Sequence, residues 1–279
     1  MLSKNKIKYI HSLKLKKNRE NEKVFLIEGD KIVIEAIENN QDMKLLCATE
    51  NFLTSLRGTT QSRPLGVLKE SSSTNCCLTG CSAQNIDEII CVTEQELQKA
   101  SLMQSPQNAL AIVGMPERPF HISSIHDKFS LALDFIQDPG NLGTIIRLAD
   151  WFGIDHLLCS ENTVDCYNPK TIQASMGSIF RVSIHYLNLP LSLDEALREG
   201  LSVYGAFLEG ENIYQHQLSE TGILVMGNEG NGISSEIEEK ISQKLFIPSF
   251  PSGFKCSESL NVATATAICC SEFRRRLQK

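Results

Sequence analysis

Short apolar runs alternate with amphipathic stretches along most of the chain. The first twenty or so residues read as one basic helix with Ile7, Ile10, Leu13 and Leu15 as its apolar positions. Val24-Phe25-Leu26-Ile27 is too short for a helix and uniformly apolar, which predicts a buried strand ending at Glu28-Gly29. Ile32, Val33, Ala36 and Ile37 follow at helical spacing, and Asn39-Asn40 stops that helix. Leu45-Leu46-Cys47-Ala48 predicts a second strand. Ile89-Ile90-Cys91-Val92 predicts a third, running into Thr93-x-x-Glu96, the pattern of a capping box that opens a helix. Ala109-Leu110-Ala111-Ile112-Val113 closes this first α/β unit. Residues 57–85, rich in serine, glycine and polar residues, read as loop.

Met115-Pro116-Glu117-Arg118-Pro119 interrupts the pattern, because proline fixes its own φ and lacks a backbone donor. The alternation then restarts. Leu131 to Ile136 is a strand, and Ile145 to Phe152 a helix ended by Gly153. Further strands fall at Leu157-Leu158-Cys159, Val182-Ser183-Ile184, Val203 to Phe207 and Ile223-Leu224-Val225-Met226, with helical stretches between most of them. Alternating strand and helix predicts an α/β fold, a parallel sheet with helices on both faces. The expected division is residues 1–115 as a smaller α/β domain, 116–124 as linker and 125–279 as the larger domain.

Charge changes this picture. The 279 residues carry a formal net charge of −6, which argues mildly against a nucleic-acid partner. Lys4, Lys6, Lys8, Lys14, Lys16, Lys17, Arg19 and Lys23 nevertheless crowd the start, and Arg274-Arg275-Arg276 with Lys279 ends the chain. Segregated basic ends suit phosphate contacts; the alternative is that both are solvated tails. No apolar run is long enough to span a membrane, and the N-terminus lacks a secretory h-region. Ten cysteines form no disulfide framework, so a reducing cytoplasm is expected. Cys76, Cys77 and Cys81 cluster without a second pair at zinc-finger spacing, and Cys269-Cys270 reads as small core residues.

In sheets of this kind ligands bind beyond the carboxyl ends of the strands, where three loops carry candidate chemistry. Gln137-Asp138-Pro139-Gly140-Asn141-Leu142-Gly143 leads into a helix bearing Arg147. Asn141 is there a cap or a site residue, and Arg147 a surface charge or a catalyst. Gly227-Asn228-Glu229-Gly230-Asn231-Gly232 follows a strand, yet matches neither the dinucleotide fingerprint nor the phosphate loop. A carboxylate without a lysine suits a ligand that is neutral or cationic where it touches. Ile247-Pro248 precedes Ser259-Leu260-Asn261-Val262, which opens a helix of small residues; there Ser259 is a plausible N-cap.

Together these blocks resemble the SpoU/TrmH family of RNA ribose methyltransferases, with Tyr167-Asn168-Pro169-Lys170 and Ala174-Ser175-Met176-Gly177 between them also similar. The N-terminal part resembles the family's ribosomal-protein-like RNA-binding extension, which makes a transit peptide unexpected. The resemblance implies a trefoil-knotted domain, S-adenosyl-L-methionine as cofactor, a homodimer, and RNA as partner, ribosomal rather than transfer. It implies Asn141, Arg147, Glu229, Ser259 and Asn261 as the catalytic region. Gly227, Ile247 and Leu260 would contact cofactor through backbone atoms, and no metal is implied. The loop 249–258 is longer than the family pattern.

A guanidinium with a pKa above about 12 is a poor base, so Arg147 is expected to hold phosphate and stabilise a developing alkoxide, with proton abstraction as the alternative. The competing readings are an RNA-binding protein of this fold without catalysis, and an oxidoreductase, which the missing dinucleotide fingerprint disfavours.

Overall fold

The computed structural model describes residues 2–59, 85–250 and 259–276, and the side chains of 57–59 are outside that description. The Cys76, Cys77 and Cys81 cluster, most of the 57–85 loop, residues 251–258 and Lys279 therefore lie outside the described residues. In chain order the elements are α1 (Lys4–Ser12), α2 (Lys16–Glu22), β1 (Val24–Glu28), α3 (Asp30–Glu38), β2 (Met43–Ala48), α4 (Glu50–Thr59), β3 (Ile89–Cys91), α5 (Glu94–Ala100) and β4 (Ala109–Gly114). Then come β5 (Phe129–Leu133), α6 (Pro139–Trp151), β6 (His156–Ser160), α7 (Pro169–Ser175), β7 (Ser183–Leu187), α8 (Leu189–Arg198), β8 (Val203–Phe207) and β9 (Glu211–Asn212). The chain finishes with β10 (Gly222–Met226), α9 (Ser235–Glu238), β11 (Gln243–Phe246) and α10 (Val262–Arg275). Two compact units result: residues 1–117 with 167–180, and residues 118–166 with 181–279.

The first unit is built on a four-stranded sheet in the order β1-β4-β2-β3. β4 runs antiparallel to β1 and β2, and β3 is parallel to β2. Ile10, Leu13, Val24, Leu26, Leu45, Cys47, Leu97, Leu110 and Ile112 form a core on this sheet. The capping box is present: Thr93 Oγ1 accepts from Glu96 N at 3.2 Å, and Glu96 Oε2 accepts from Thr93 N at 3.0 Å. The segment 167–180 completes the unit, with α7 packed on β1 and the Tyr167 ring 4.5 Å from Phe25.

The single N-terminal helix is a correction: α1 and α2 are separate. Leu13 turns into the core after α1, and Leu15 is left 62% exposed. Arg19, 2% exposed, bridges the break, donating from Nη1 to Leu13 O (2.7 Å) and Lys14 O (2.9 Å). Those carbonyls, at and just beyond the end of α1, need donors, so Arg19 is a structural brace and not part of a phosphate-binding surface.

The second unit is a seven-stranded sheet ordered β7-β6-β5-β10-β8-β11-β9, parallel at every pairing. Side chains alternate across each strand. Ala132, Leu158, Val203, Ile223 and Val225 face Leu189, Leu193 and Ile237 of α8 and α9. On the opposite face Phe129 stacks on Phe273 of α10 at 4.3 Å, and α10 packs along α6. The sheet is thus covered on both faces. Cys269 and Cys270 are buried, as small core residues should be.

The C-terminal arginines are a second correction. Arg274 donates to Phe152 O (2.8 Å) and Gly153 O (2.9 Å), carbonyls at the end of α6. Arg276 donates to the carbonyls of Ile213, Tyr214 and His216, and both Arg275 and Arg276 pair with the buried Glu272. This run closes the unit upon itself. Among the described residues no helix is long and apolar enough to cross a membrane, and no group of three His, Cys, Asp or Glu is placed to hold a metal ion.

Candidate active site

Adjacent parallel strands bring the candidate loops together. β5 and β10 pair in register up to Leu133↔Met226, so the loops 134–138 and 227–232 leave the sheet side by side. β8 follows β10, and β11 follows β8, which places Ile247 at the same carboxyl edge. From β5 the chain builds outward through β6 and β7, then crosses back to β8 on the far side of β10. That reversal is a topological switch point, the place where open α/β sheets hold ligands.

Sequence positions 138–141 fold as an N-terminal helix motif. Asp138, not Asn141, caps α6: its Oδ1 accepts from Asn141 N at 2.8 Å, and Pro139 occupies the first helical position, where a missing N–H costs nothing. Asn141 is therefore freed from capping. Its Nδ2 donates to Glu229 Oε1 at 3.0 Å, and its Oδ1 accepts from Asn261 Nδ2 at 2.9 Å. Asn261 in turn is the N-cap of α10, a role the sequence reading gave to Ser259; its Oδ1 accepts from Ala263 N (2.9 Å) and Thr264 N (3.3 Å). Glu229 also accepts from Gln137 N at 3.3 Å and Asp138 N at 3.4 Å.

The Gly-rich loop is closed by its own backbone. Asn228 N donates to Gly232 O (2.8 Å), and Gly232 N to Asn228 O (3.0 Å). A Cβ on Gly227 would lie 2.3 Å from the Gly232 carbonyl carbon, so only glycine fits there. Asn228, not among the site residues expected from the sequence, ties this loop across to the other. Its Oδ1 accepts from Gly230 N (2.9 Å) and Asn231 N (3.0 Å), while its Nδ2 donates to Phe135 O at 2.8 Å. The signal was present in Asn228-Glu229-Gly230, since asparagine side chains bond their own backbone two residues on.

Arg147 lies six residues beyond Asn141, about 9 Å along α6. It is exposed, and among the described residues its side chain makes no hydrogen bond or ion pair. Ser259 is exposed, two residues ahead of the Asn261 cap. Among the described residues the main-chain groups of Gly227, Ile247 and Leu260 make no hydrogen bonds, although Gly227 and Ile247 are half-buried. Half-buried peptide groups ordinarily find partners, so Gly227 and Ile247 can take a ligand through the backbone, as can the exposed Leu260. Leu260, 49% exposed, adds apolar surface. Elsewhere in the unit, burial pushes the Cys166 and Cys269 thiols up to about 12, so neither supplies a thiolate at neutral pH.

Comparison with known proteins matches both parts of the chain. The family model described as SpoU rRNA Methylase family matches residues 128–271, and that described as MRM3-like substrate binding domain matches residues 4–111. The 23S rRNA (guanosine(2553)-2′-O)-methyltransferase RlmP of Bacillus subtilis is 33% identical over 264 residues, 94% of this chain and 93% of the relative. A solved TrmH-family structure from Porphyromonas gingivalis superposes with a TM-score of 0.81 at 38% identity, covering 99% of each chain. An AdoMet-bound rRNA methyltransferase from Sinorhizobium meliloti superposes at 0.76 with 26% identity, covering 100% of this chain and 97% of that one. With its three site loops converging at one sheet edge and both units matched, the chain belongs to the SpoU rRNA methylase family.

Proposed function

We propose that this protein transfers a methyl group from S-adenosyl-L-methionine to a ribose 2′-hydroxyl of ribosomal RNA. The observation that carries the reading is the Glu229–Asn141–Asn261 chain, which joins all three family loops at the switch point of the sheet. A fold retained for RNA binding alone has no need of it. The free peptide groups of Gly227, Ile247 and Leu260 fit a cofactor held through the backbone, and the Gly-rich loop 227–232, with a carboxylate and no lysine, suits a sulfonium better than a pyrophosphate. When bound, the cofactor supplies an electrophilic methyl.

The chain's own residues do the rest. Arg147, with its guanidinium unengaged, holds a phosphate next to the target ribose and stabilises the alkoxide that develops on the 2′-oxygen. Asn141 and Glu229 fix the loop facing it, and Ser259 and Asn261 close the site from the start of α10. The first unit captures the RNA, a role supported by its match to a substrate-binding domain.

The homodimer is part of the same reading. Thr144, Arg147 and Trp151 form one exposed stripe on α6, and Trp151 is 83% exposed. A tryptophan so exposed beside a functional arginine marks a surface that a second copy covers. The return of the chain from β11 to α10 alongside α6 supports the family's knot. The free cysteines Cys47, Cys159, Cys166, Cys269 and Cys270 support a cytoplasmic site of action.

The test is transfer of radiolabelled methyl to ribosomal and transfer RNA from a strain lacking the gene, followed by nucleoside analysis. Label in a 2′-O-methylnucleoside of ribosomal RNA is expected. Label on a base, or only in transfer RNA, overturns the assignment.

A further inference from the structure

Phe135, directly after β5, holds φ +58, one of only a few non-glycine residues in the left-handed region among those described. A bulky residue there costs on the order of 1–2 kcal/mol and persists only where neighbours hold it. Two side chains do so. Ser160 Oγ accepts from Phe135 N at 2.8 Å, and Asn228 Nδ2 donates to Phe135 O at 2.8 Å. Around this clamp Ser160 and Thr163 hydroxyls lie 3.1 Å apart, Thr163 Oγ1 donates to Leu133 O, and Val164 N donates to Ile136 O. The peptide so fixed is followed within three residues by Gln137 N and Asp138 N, both aimed at Glu229, and then by Asn141.

We propose that Asn228 is a positioning residue for methyl transfer: its Nδ2 locks the left-handed Phe135 peptide, and that lock aims the 137–141 segment at Glu229. The proposal rests on the methyltransferase reading. The geometry separates two arms of one amide. The acceptor arm, Oδ1, closes the loop 228–231 locally. The donor arm, Nδ2, reaches across 93 residues of sequence to the other loop. Aspartate keeps the acceptor arm and loses the donor arm, whereas alanine loses both. A purely local role predicts that aspartate is tolerated; the positioning role predicts that it is not.

The experiment compares full-length wild type, Asn228→Asp and Asn228→Ala by methyl-transfer kinetics and by amide hydrogen exchange across residues 134–141. Asn228→Asp should lower kcat at least about tenfold with KM for RNA within about threefold, matching Asn228→Ala. Exchange across 134–141 should quicken in both variants. The deficit of Asn228→Asp should shrink as pH falls, because a protonated aspartate regains the donor. Wild-type kcat and wild-type exchange over 134–141 in Asn228→Asp overturn the proposal. If the wild type transfers no methyl to any RNA, the methyltransferase reading fails, and the exchange measurement still decides whether Asn228 holds the segment.

Discussion

Asn261 Nδ2 donates to Asn141 Oδ1 at 2.9 Å across 120 residues of sequence, and this bond sets the polarity of the whole site. The N–H groups of Ala263 and Thr264, second and third in α10, require an acceptor, so Asn261 must present Oδ1 to them and Nδ2 outward. Asn141 must then accept with its oxygen, leaving its NH2 for Glu229, which completes the line as pure acceptor. A helix terminus thereby orients a carboxylate two hydrogen bonds away from it.

Asn261→Asp separates capping from orientation. Aspartate caps as well as asparagine, so stability by urea unfolding should stay within about 0.5 kcal/mol of wild type. The donor to Asn141 is lost, and any flip of Asn141 to satisfy the new carboxylate would turn its oxygen against Glu229. Methyl transfer should fall at least about tenfold. Asn261→Ala should lose the activity and about 1 kcal/mol of stability as well. Full activity in Asn261→Asp would detach the amide line from catalysis.

Arg147→Ala should leave S-adenosylhomocysteine affinity by calorimetry within a few-fold, because among the described residues the Arg147 side chain makes no hydrogen bond or ion pair, to the Gly227, Ile247 and Leu260 surface or elsewhere. Transfer should fall by about 100-fold or more, the scale of a lost electrostatic catalyst. Turnover near wild type would remove Arg147 from the mechanism.

The strands of the second unit were legible because buried parallel strands are continuous apolar runs, as in Ile223 to Met226. β11 escaped notice: Gln-Lys-Leu-Phe has a single buried residue, Leu245, and β9 is only two residues long. Candidate site residues could be named from motif, but their local jobs could not. Asp138-Pro139 carried the stronger capping signal than Asn141, and Asn261 rather than Ser259 caps α10. Basic residues misled for another reason. Composition cannot distinguish a solvated arginine from one that satisfies helix-end carbonyls, and Arg19 and Arg274 do the latter.

Trp151→Glu tests the dimer. In the proposed dimer a second copy covers Trp151, so a carboxylate there leaves an unpaired buried charge and association should weaken by about 3–5 kcal/mol. Sedimentation should change from dimer to monomer at micromolar concentration, with activity lost in parallel. A wild-type protein that sediments as monomer ends the claim.

His156 Nδ1 and His185 Nε2 lie 3.2 Å apart at the β6–β7 edge, under Phe120. Burial lowers the His185 pKa to about 4, with the His156 and Arg118 charges adding to it, and burial also lowers that of His156. The unfolded chain, with histidines near about 6.5, takes up these protons first as pH falls. Stability from the pair is therefore complete above about pH 6.5 and drains away towards pH 4. Urea unfolding of His185→Phe should show a flatter stability profile over that window than wild type. Identical slopes would place the titration elsewhere.

RNA capture follows from which cations of the first unit remain available. Arg19 is buried and Lys6 is paired with Glu88, but Lys4, Lys8 and Lys14 are exposed and make no ion pair among the described residues. Lys4 and Lys8 share one face of α1 at i, i+4 spacing. Deleting residues 1–115 is a poor test, because α7 and Tyr167 pack within the same unit and would lose their support. Replacing Lys4, Lys8 and Lys14 by glutamine leaves that packing untouched. Each phosphate contact contributes about 0.7 to the slope of log affinity against log salt on single-stranded RNA, so the triple variant should flatten the slope by about 2. Filter binding at several salt concentrations measures it, with S-adenosylhomocysteine affinity as the control that should not move. An unchanged slope would mean that these lysines are solvated and that the RNA is held elsewhere on the chain.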